Sequence, residues 1–322
     1  MEVTIEKQGS GYAVKWDSSN VEMIVRHIKP KGFKAEVSTF LNGIPVHRSN
    51  PTLDSSSGMQ TFARMLNKRR PESDYGVDWE QIVEDLSGIV IDTYRTGQPA
   101  LKLSEVDLSS SIAWRIDNVL LDGEINLIWA DGGTGKSMFA LFLSVLAQQS
   151  WMSTDHGLIV EPSNVLYLDY ETKPKEIATR ARMIHAGLGL EEPDVERTGS
   201  KITYNKCEHT LIEEEDYIQD LIYKNDISLV VIDSMGRAVS GEMESSDSVL
   251  PFMAAVERLN TTVLIISHSN KQGTLFGSAY TNNSARLVWE AKRSGSNIRG
   301  MDFSLFCRKA NNVPMQPPQS WG

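Results

Sequence analysis

The chain has 322 residues, 32 Lys plus Arg against 42 Asp plus Glu, and a formal net charge of −10. That balance excludes a protein that coats nucleic acid by bulk charge, so any DNA contact must be local. No apolar run reaches the roughly 18–20 residues that span a bilayer, the start MEVTIEKQGSGY lacks the regions of a signal peptide, and Cys207 and Cys307 cannot build a disulfide framework, so a cytoplasmic protein with no membrane partner is expected.

The first hundred residues are β-rich. GYAVKW, VEMIVRHIK and FKAEVSTFL each read as strands. In the third, Phe33, Ala35, Val37, Thr39 and Leu41 alternate with mostly polar neighbours, the period of a half-buried strand. Lys31-Gly32 and Asn42-Gly43 supply turn chemistry. A small antiparallel sheet over about residues 1–50 is predicted. SNPTLDSSSG follows as a loop and MQTFARMLNKRR as a helix. A second helix starts near Asp78 and carries Trp79, Ile82, Val83 and Leu86 at helical spacing. Residues 1–95 therefore form a small β-rich α+β domain, and 96–111 form a linker.

From residue 112 the pattern changes. INLIWA is a strand, Lys136 to Gln149 an apolar helix, NVLYLDY a strand and KPKEIATRARMIHAGLG a helix. ISLVVID, SVLPFMAAVERL and TTVLIISH continue the alternation. Near-continuous apolar strands between helices indicate an α/β domain over 112–322, a mostly parallel sheet covered on both faces. ARLVWEAK and MDFSLFCRK read as an antiparallel hairpin that extends it.

Residues 129–138 read WADGGTGKSM. Gly132, Gly133 and Gly135 let the backbone turn tightly and aim its N–H groups inward. The helix that follows adds the positive end of its dipole. Lys136 can reach β- and γ-phosphate oxygens, and Ser137 can hold Mg²⁺. The match to G-x-x-x-x-G-K-[ST] departs only at Ala130, the smallest residue with a Cβ. Asp131, Gly132, Gly133, Thr134, Gly135, Lys136, Ser137 and Met138 are the expected phosphate cradle. The bland alternative is a glycine-rich turn with no ligand.

Further candidates lie where other strands end. Asp233 closes ISLVVID, where a carboxylate can hold Mg²⁺ through water; its competing role is to cap the next helix. Glu171 follows YLDY and can polarise water, with Asp169 competing for that role. His268 ends TTVLIISH, where it can sense a γ-phosphate or serve structure alone. Arg180 or Arg182 can stack on a base. KCEHT lacks metal-ligand spacing.

The ordered set GGTGKS, VLYLDYE, LVVIDSMGRAVSGE, VLIISHSNKQG, FGSAYTNNSARLVW and LFCRKANN resembles the RepA-like branch of the RecA-type ATPases. The resemblance covers about residues 112–315. It implies a RecA-like core that hydrolyses ATP with Mg²⁺, Glu171 as catalytic glutamate and His268 as γ-phosphate sensor. Segments 236–247 and 270–280 match loops facing the central pore of ring-forming relatives, with Lys271 a contact to a phosphate backbone. Arg308 and Lys309 match a position used as a finger into the neighbouring subunit's nucleotide. The implied partners are further copies of the chain, in a hexameric ring, and single-stranded DNA. The implied role is that of a replicative helicase-like protein of a mobile element or virus.

The first loop departs from that pattern. GRAVSGEMESSDS is acidic, with Arg237 its one cation. The Lys68-Arg69-Arg70 cluster in the N-terminal domain fits a solvated helix end better than a nucleic-acid contact. Two further functions remain open: a recombination or repair ATPase that does not unwind DNA, and a nucleotide-gated assembly protein that recruits a partner through residues 1–110.

Overall fold

The computed structural model describes residues 3–69, 76–97, 100, 102, 104, 113–149, 152–153, 158–189, 201–270, 273–277, 279–294 and 302–321. The chain divides into two compact units, Met1–Asp107 and Leu108–Gly322.

The first unit holds β1 (Val3–Gln8), β2 (Gly11–Trp16), β3 (Val21–Lys29), β4 (Lys34–Leu41) and β5 (Ile44–Ser49), paired antiparallel in chain order. Asn42 and Gly43 both take positive φ, 52° and 75°. That geometry suits the two-residue turn that joins twisted strands. Along β4, Ala35, Val37, Thr39 and Leu41 are buried and their neighbours are not. This face packs on helices α1 (Ser56–Arg69) and α2 (Trp79–Thr96) through Phe62, Leu66, Trp79, Ile82 and Leu86. Asp78 caps α2, its Oδ1 accepting from Gln81 N at 3.1 Å. Arg69 lies against His47 Nδ1 at 3.2 Å; Arg70 lies outside the described residues.

The second unit is built on an eight-stranded sheet. A short ribbon, β6 (Trp114–Ile116) and β7 (Leu120–Leu121), leads to β8 (Ile125–Ala130) and helix α3 (Lys136–Gln149). A two-stranded pair, β9 (Met152–Ser153) and β10 (Leu158–Ile159), precedes β11 (Val165–Asp169), α4 (Pro174–Gly187), β12 (Ile202–Lys206) and α5 (Leu211–Lys224). Then come β13 (Leu229–Asp233), a one-turn helix α6 (Met235–Ala238), α7 (Ser246–Arg258), β14 (Thr262–His268) and the short α8 (Ala279–Ser284). β15 (Leu287–Ser294), β16 (Asp302–Ala310) and β17 (Gln319–Trp321) complete the sheet.

Its order is β12-β11-β13-β14-β8-β15-β16-β17. The first six strands run parallel, and β16 and β17 add antiparallel. Alternate residues of each parallel strand enter different cores. Leu127, Leu168, Ile232 and Ile265 pack with α5 and α7 through Ile218, Phe252 and Val256. Ile128, Tyr167, Val231 and Leu264 pack with α3 and α4 through Phe139, Leu143 and Ile177. Both faces are thus dry, which is why these strands read as continuous apolar runs rather than alternating ones.

β11 follows β8 in chain order among the long strands, yet β14 and β13 lie between them in the sheet. Glu171 therefore approaches the phosphate loop from across two strands. Among the described residues, no helix is long and apolar enough to cross a membrane.

Candidate nucleotide site

The loop between β8 and α3 sits at the carboxyl edge of the sheet. Pairing aligns Ala130 with His268 and Asp169 with Asp233, so the ends of β8, β14, β13 and β11 share that edge. Gly133 and Gly135 take φ of 74° and 99°, which only glycine adopts cheaply. Thr134 and Lys136 are buried, Gly135, Ser137 and Met138 half-buried, and Asp131, Gly132 and Gly133 exposed. Thr134 Oγ1 donates to Asp131 O at 2.7 Å and locks the turn.

Lys136 Nζ donates to Ala130 O at 2.9 Å and Asp131 O at 2.8 Å, so the ammonium lies inside the curl of the loop. Burial lowers its pKa, and the nearby Asp233, Asp131 and Glu171 carboxylates oppose that shift. Ser137 Oγ donates to Asp233 Oδ1 at 3.0 Å, and Tyr167 OH donates to Asp233 Oδ2 at 2.7 Å. Burial raises the pKa of Asp233, those two hydrogen bonds lower it, and Glu171 and Asp169 push it back up. The capping role considered for Asp233 does not appear, because both its oxygens face α3 and β11. A hydroxyl and a carboxylate side by side beneath a glycine-rich loop suit a hard divalent cation shared with phosphate. Among the described residues, no cluster of three or more His, Cys, Asp or Glu forms a metal cage.

Glu171 and His268 come together from β11 and β14, with His268 Nε2 3.7 Å from Glu171 Oε1. Both side chains are partly exposed, at 39% and 43%, which leaves Glu171 able to meet water. Ser234 Oγ donates to the same Glu171 oxygen, and the Asp233–Ser234 peptide is cis. Asp169 differs from Glu171 in kind. It is fully buried, and its Oδ1 accepts from Glu171 N at 2.8 Å and Thr172 N at 2.7 Å. Its Oδ2 accepts from Tyr204 OH at 3.0 Å.

The remaining candidates lie apart. Arg180 pairs with Glu176 one turn away, and Arg182 is exposed on α4. Arg308 pairs through Nε and Nη2 with Glu290 Oε2. Lys309 Nζ donates to Asn282 O, Asn283 O and Ala285 O at 2.7, 2.9 and 2.7 Å. All three of its N–H donors are thereby used within its own chain, closing the end of α8. Lys271 lies outside the described residues. Arg237 Nη1 donates to Tyr170 O at 3.2 Å, joining the first loop to the Glu171 turn. Cys207 is buried and its thiol is pushed up to about 12 by burial and Glu214, so it is no thiolate nucleophile.

Sequence reading missed several neighbours. Tyr167, Ser234 and Ser269, whose Oγ donates to Asp131 Oδ1, gave no signal because a lone hydroxyl gains meaning only from what it faces. A cavity of about 320 Å³ beside the loop is lined by Asp131, Thr134, Gly273, Glu290, Lys292 and Arg293 among others. Its two cations, Lys292 and Arg293, come from the end of β15.

A parallel sheet with a glycine-rich loop, an invading lysine and a hydroxyl–carboxylate pair at its carboxyl edge defines a P-loop ATPase domain. The chain belongs to the AAA_25 family, an AAA domain whose profile matches residues 104–274, more than half of the sequence. No curated protein matches the chain. Among solved structures it is similar to a KaiC-like protein from the hyperthermophilic archaeon Pyrococcus horikoshii OT3, at 18% identity, over 64% of this chain and 88% of that one, with a TM-score of 0.46.

Proposed function

We propose that this site hydrolyses ATP with Mg²⁺. Residues 131–138 hold the phosphates, Ser137 and Asp233 share the cation, Glu171 polarises the attacking water and His268 stands by the γ-phosphate. The observation that carries this reading is the convergence of Ser137 on Asp233, 3.0 Å apart, with Glu171 beside His268 on the same edge. The bound cation supplies charge neutralisation on the phosphates; the chain's own groups position and orient.

The finer reading is a ring of copies, a hexamer, that acts on single-stranded DNA as the RepA-like helicases do. Its support is the ordered resemblance of segments 236–247, 270–280 and 308–309. A nucleotide-gated assembly protein is the second reading. It is favoured by the acidic first loop, whose cation Arg237 is engaged with Tyr170 O.

The test is steady-state ATP hydrolysis with and without single-stranded DNA, at low salt and over a protein-concentration series. DNA stimulation with a cooperative rise in specific activity supports the ring motor. Hydrolysis indifferent to DNA, with ATP-dependent assembly, supports the second reading. No hydrolysis under any condition rejects the site.

A further inference from the structure

We infer that Asp169, braced by Tyr204, is a positioning residue that fixes where the Glu171 carboxylate stands. The inference rests on the proposed role of Glu171 and deepens it.

Asp169 is the last residue of β11, and the chain turns away from the sheet immediately after it. A glutamate two residues into such a turn has no intrinsic reason to point at the phosphate loop. Asp169 supplies the constraint. Its Oδ1 accepts two successive backbone N–H groups, those of Glu171 and Thr172. This side-chain-to-backbone closure fixes the turn. Its Oδ2 is held from the neighbouring strand by Tyr204 OH, and Lys206 Nζ lies 3.8 Å from Oδ1. Tyr204 and Lys206 both come from β12, at the sheet edge beside β11. With the Glu171 backbone fixed, its side chain meets Ser234 Oγ just past the end of β13 and His268 from β14.

The partners of Asp169 are the Glu171 and Thr172 N–H groups, Tyr204 and Lys206, all outside the phosphate loop. Both its oxygens are filled and it is fully buried, so it acts only through Glu171. Placement matters because a reacting group displaced by about 1 Å can cost on the order of 100-fold in rate.

The experiment measures kcat and KM for Mg·ATP on the full chain, with single-turnover hydrolysis for the slow variants. Asp169→Ala is expected to lower kcat about 100-fold while KM stays within about twofold. Asp169→Asn keeps an acceptor for the two N–H groups and is expected to restore kcat to within about tenfold of wild type. Tyr204→Phe, at a half-buried edge position, is expected to lower kcat by about three- to tenfold. In a Glu171→Gln background, Asp169→Ala should add less than about a twofold further loss, because its effect passes through the missing carboxylate.

A multiplicative loss in that background, or a rise in KM in place of a fall in kcat, overturns the inference. So do Asp169→Ala and Tyr204→Phe variants that turn over normally while Glu171→Gln is impaired; the proposed function then stands. If Glu171→Gln itself turns over normally, the proposed base is wrong and the inference falls with it. Should Asp169→Ala fail to fold, Tyr204→Phe and its double with Glu171→Gln decide.

Discussion

Lys136 is held by two loop carbonyls and surrounded by three carboxylates, yet burial still lowers its pKa. The folded state therefore taxes its positive charge. A lowered lysine pKa means the neutral form is favoured on folding, so the charged form is destabilising at neutral pH. Lys136→Met keeps the stem and removes the charge. It is expected to abolish ATP turnover, since the phosphates lose their point-charge partner, while leaving Tm unchanged or raised in nucleotide-free thermal melts. A Tm drop of several degrees, or wild-type turnover, speaks against this account. Glu171→Gln keeps the shape and is expected to bind ATP normally while kcat falls by about 100-fold or more, as seen when a group acting in the transition state is removed. Equilibrium nucleotide binding beside single-turnover hydrolysis checks both halves.

At the scale of elements, the loop's position depends on β8, and β8 depends on Asn126. That side chain is fully buried, accepts from Leu121 N at 2.8 Å and donates to Leu121 O and Glu124 O, both at 3.0 Å. Asn126→Ala strands these groups without water and is expected to cost about 2–3 kcal/mol in denaturant unfolding. A loss below about 0.5 kcal/mol would show that the β7 connection does not anchor the strand. The elements that sequence reading captured share one property: their signal is local. The apolar run marks Lys136–Gln149, and the helical spacing of Trp79, Ile82, Val83 and Leu86 marks α2. α5 was passed over although Thr210 and Glu213 form a reciprocal capping box at its start. β12 was passed over for a better reason. Every one of its residues is only half-buried, as befits an edge strand, so ITYNK carries neither a clean alternation nor an apolar run. The partners of Glu171 are illegible for the same cause, because Ser234 reaches it from just past the end of β13 and His268 from β14.

At the scale of the whole molecule, the two adjacent cations at the end of β16 differ in availability. Arg308 is 48% exposed and pairs with the buried Glu290, whose other oxygen lies 3.3 Å from Lys292 Nζ. In the proposed ring, an Arg308 that reached a neighbour's nucleotide would leave Glu290 with Lys292 as its remaining cation. Lys309 closes α8 with three bonds to carbonyls. If Arg308 is a finger in the proposed ring, Arg308→Ala protomers mixed into wild type at fixed total concentration are expected to depress activity more than their fraction, because each would spoil an adjacent site. Lys309→Ala is expected to lower the Tm of its own chain and to dilute activity in simple proportion. Proportional dilution by both would reject a finger here; disproportionate loss with Lys309→Ala alone would assign it to the other residue.

The bond from Arg237 to the Tyr170 carbonyl has a thermodynamic corollary. Counterion release makes single-strand affinity fall with ionic strength by a log–log slope of about 0.7 per phosphate neutralised. A loop with Arg237 as its one cation, amid Glu242, Glu244 and Asp247, adds at most one such contact per protomer, and making it withdraws the guanidinium from the turn that carries Glu171. Polyanion binding through this loop would therefore be shallow in salt and would register as a change in turnover. A steep salt dependence would instead place the grip on cations elsewhere in the chain.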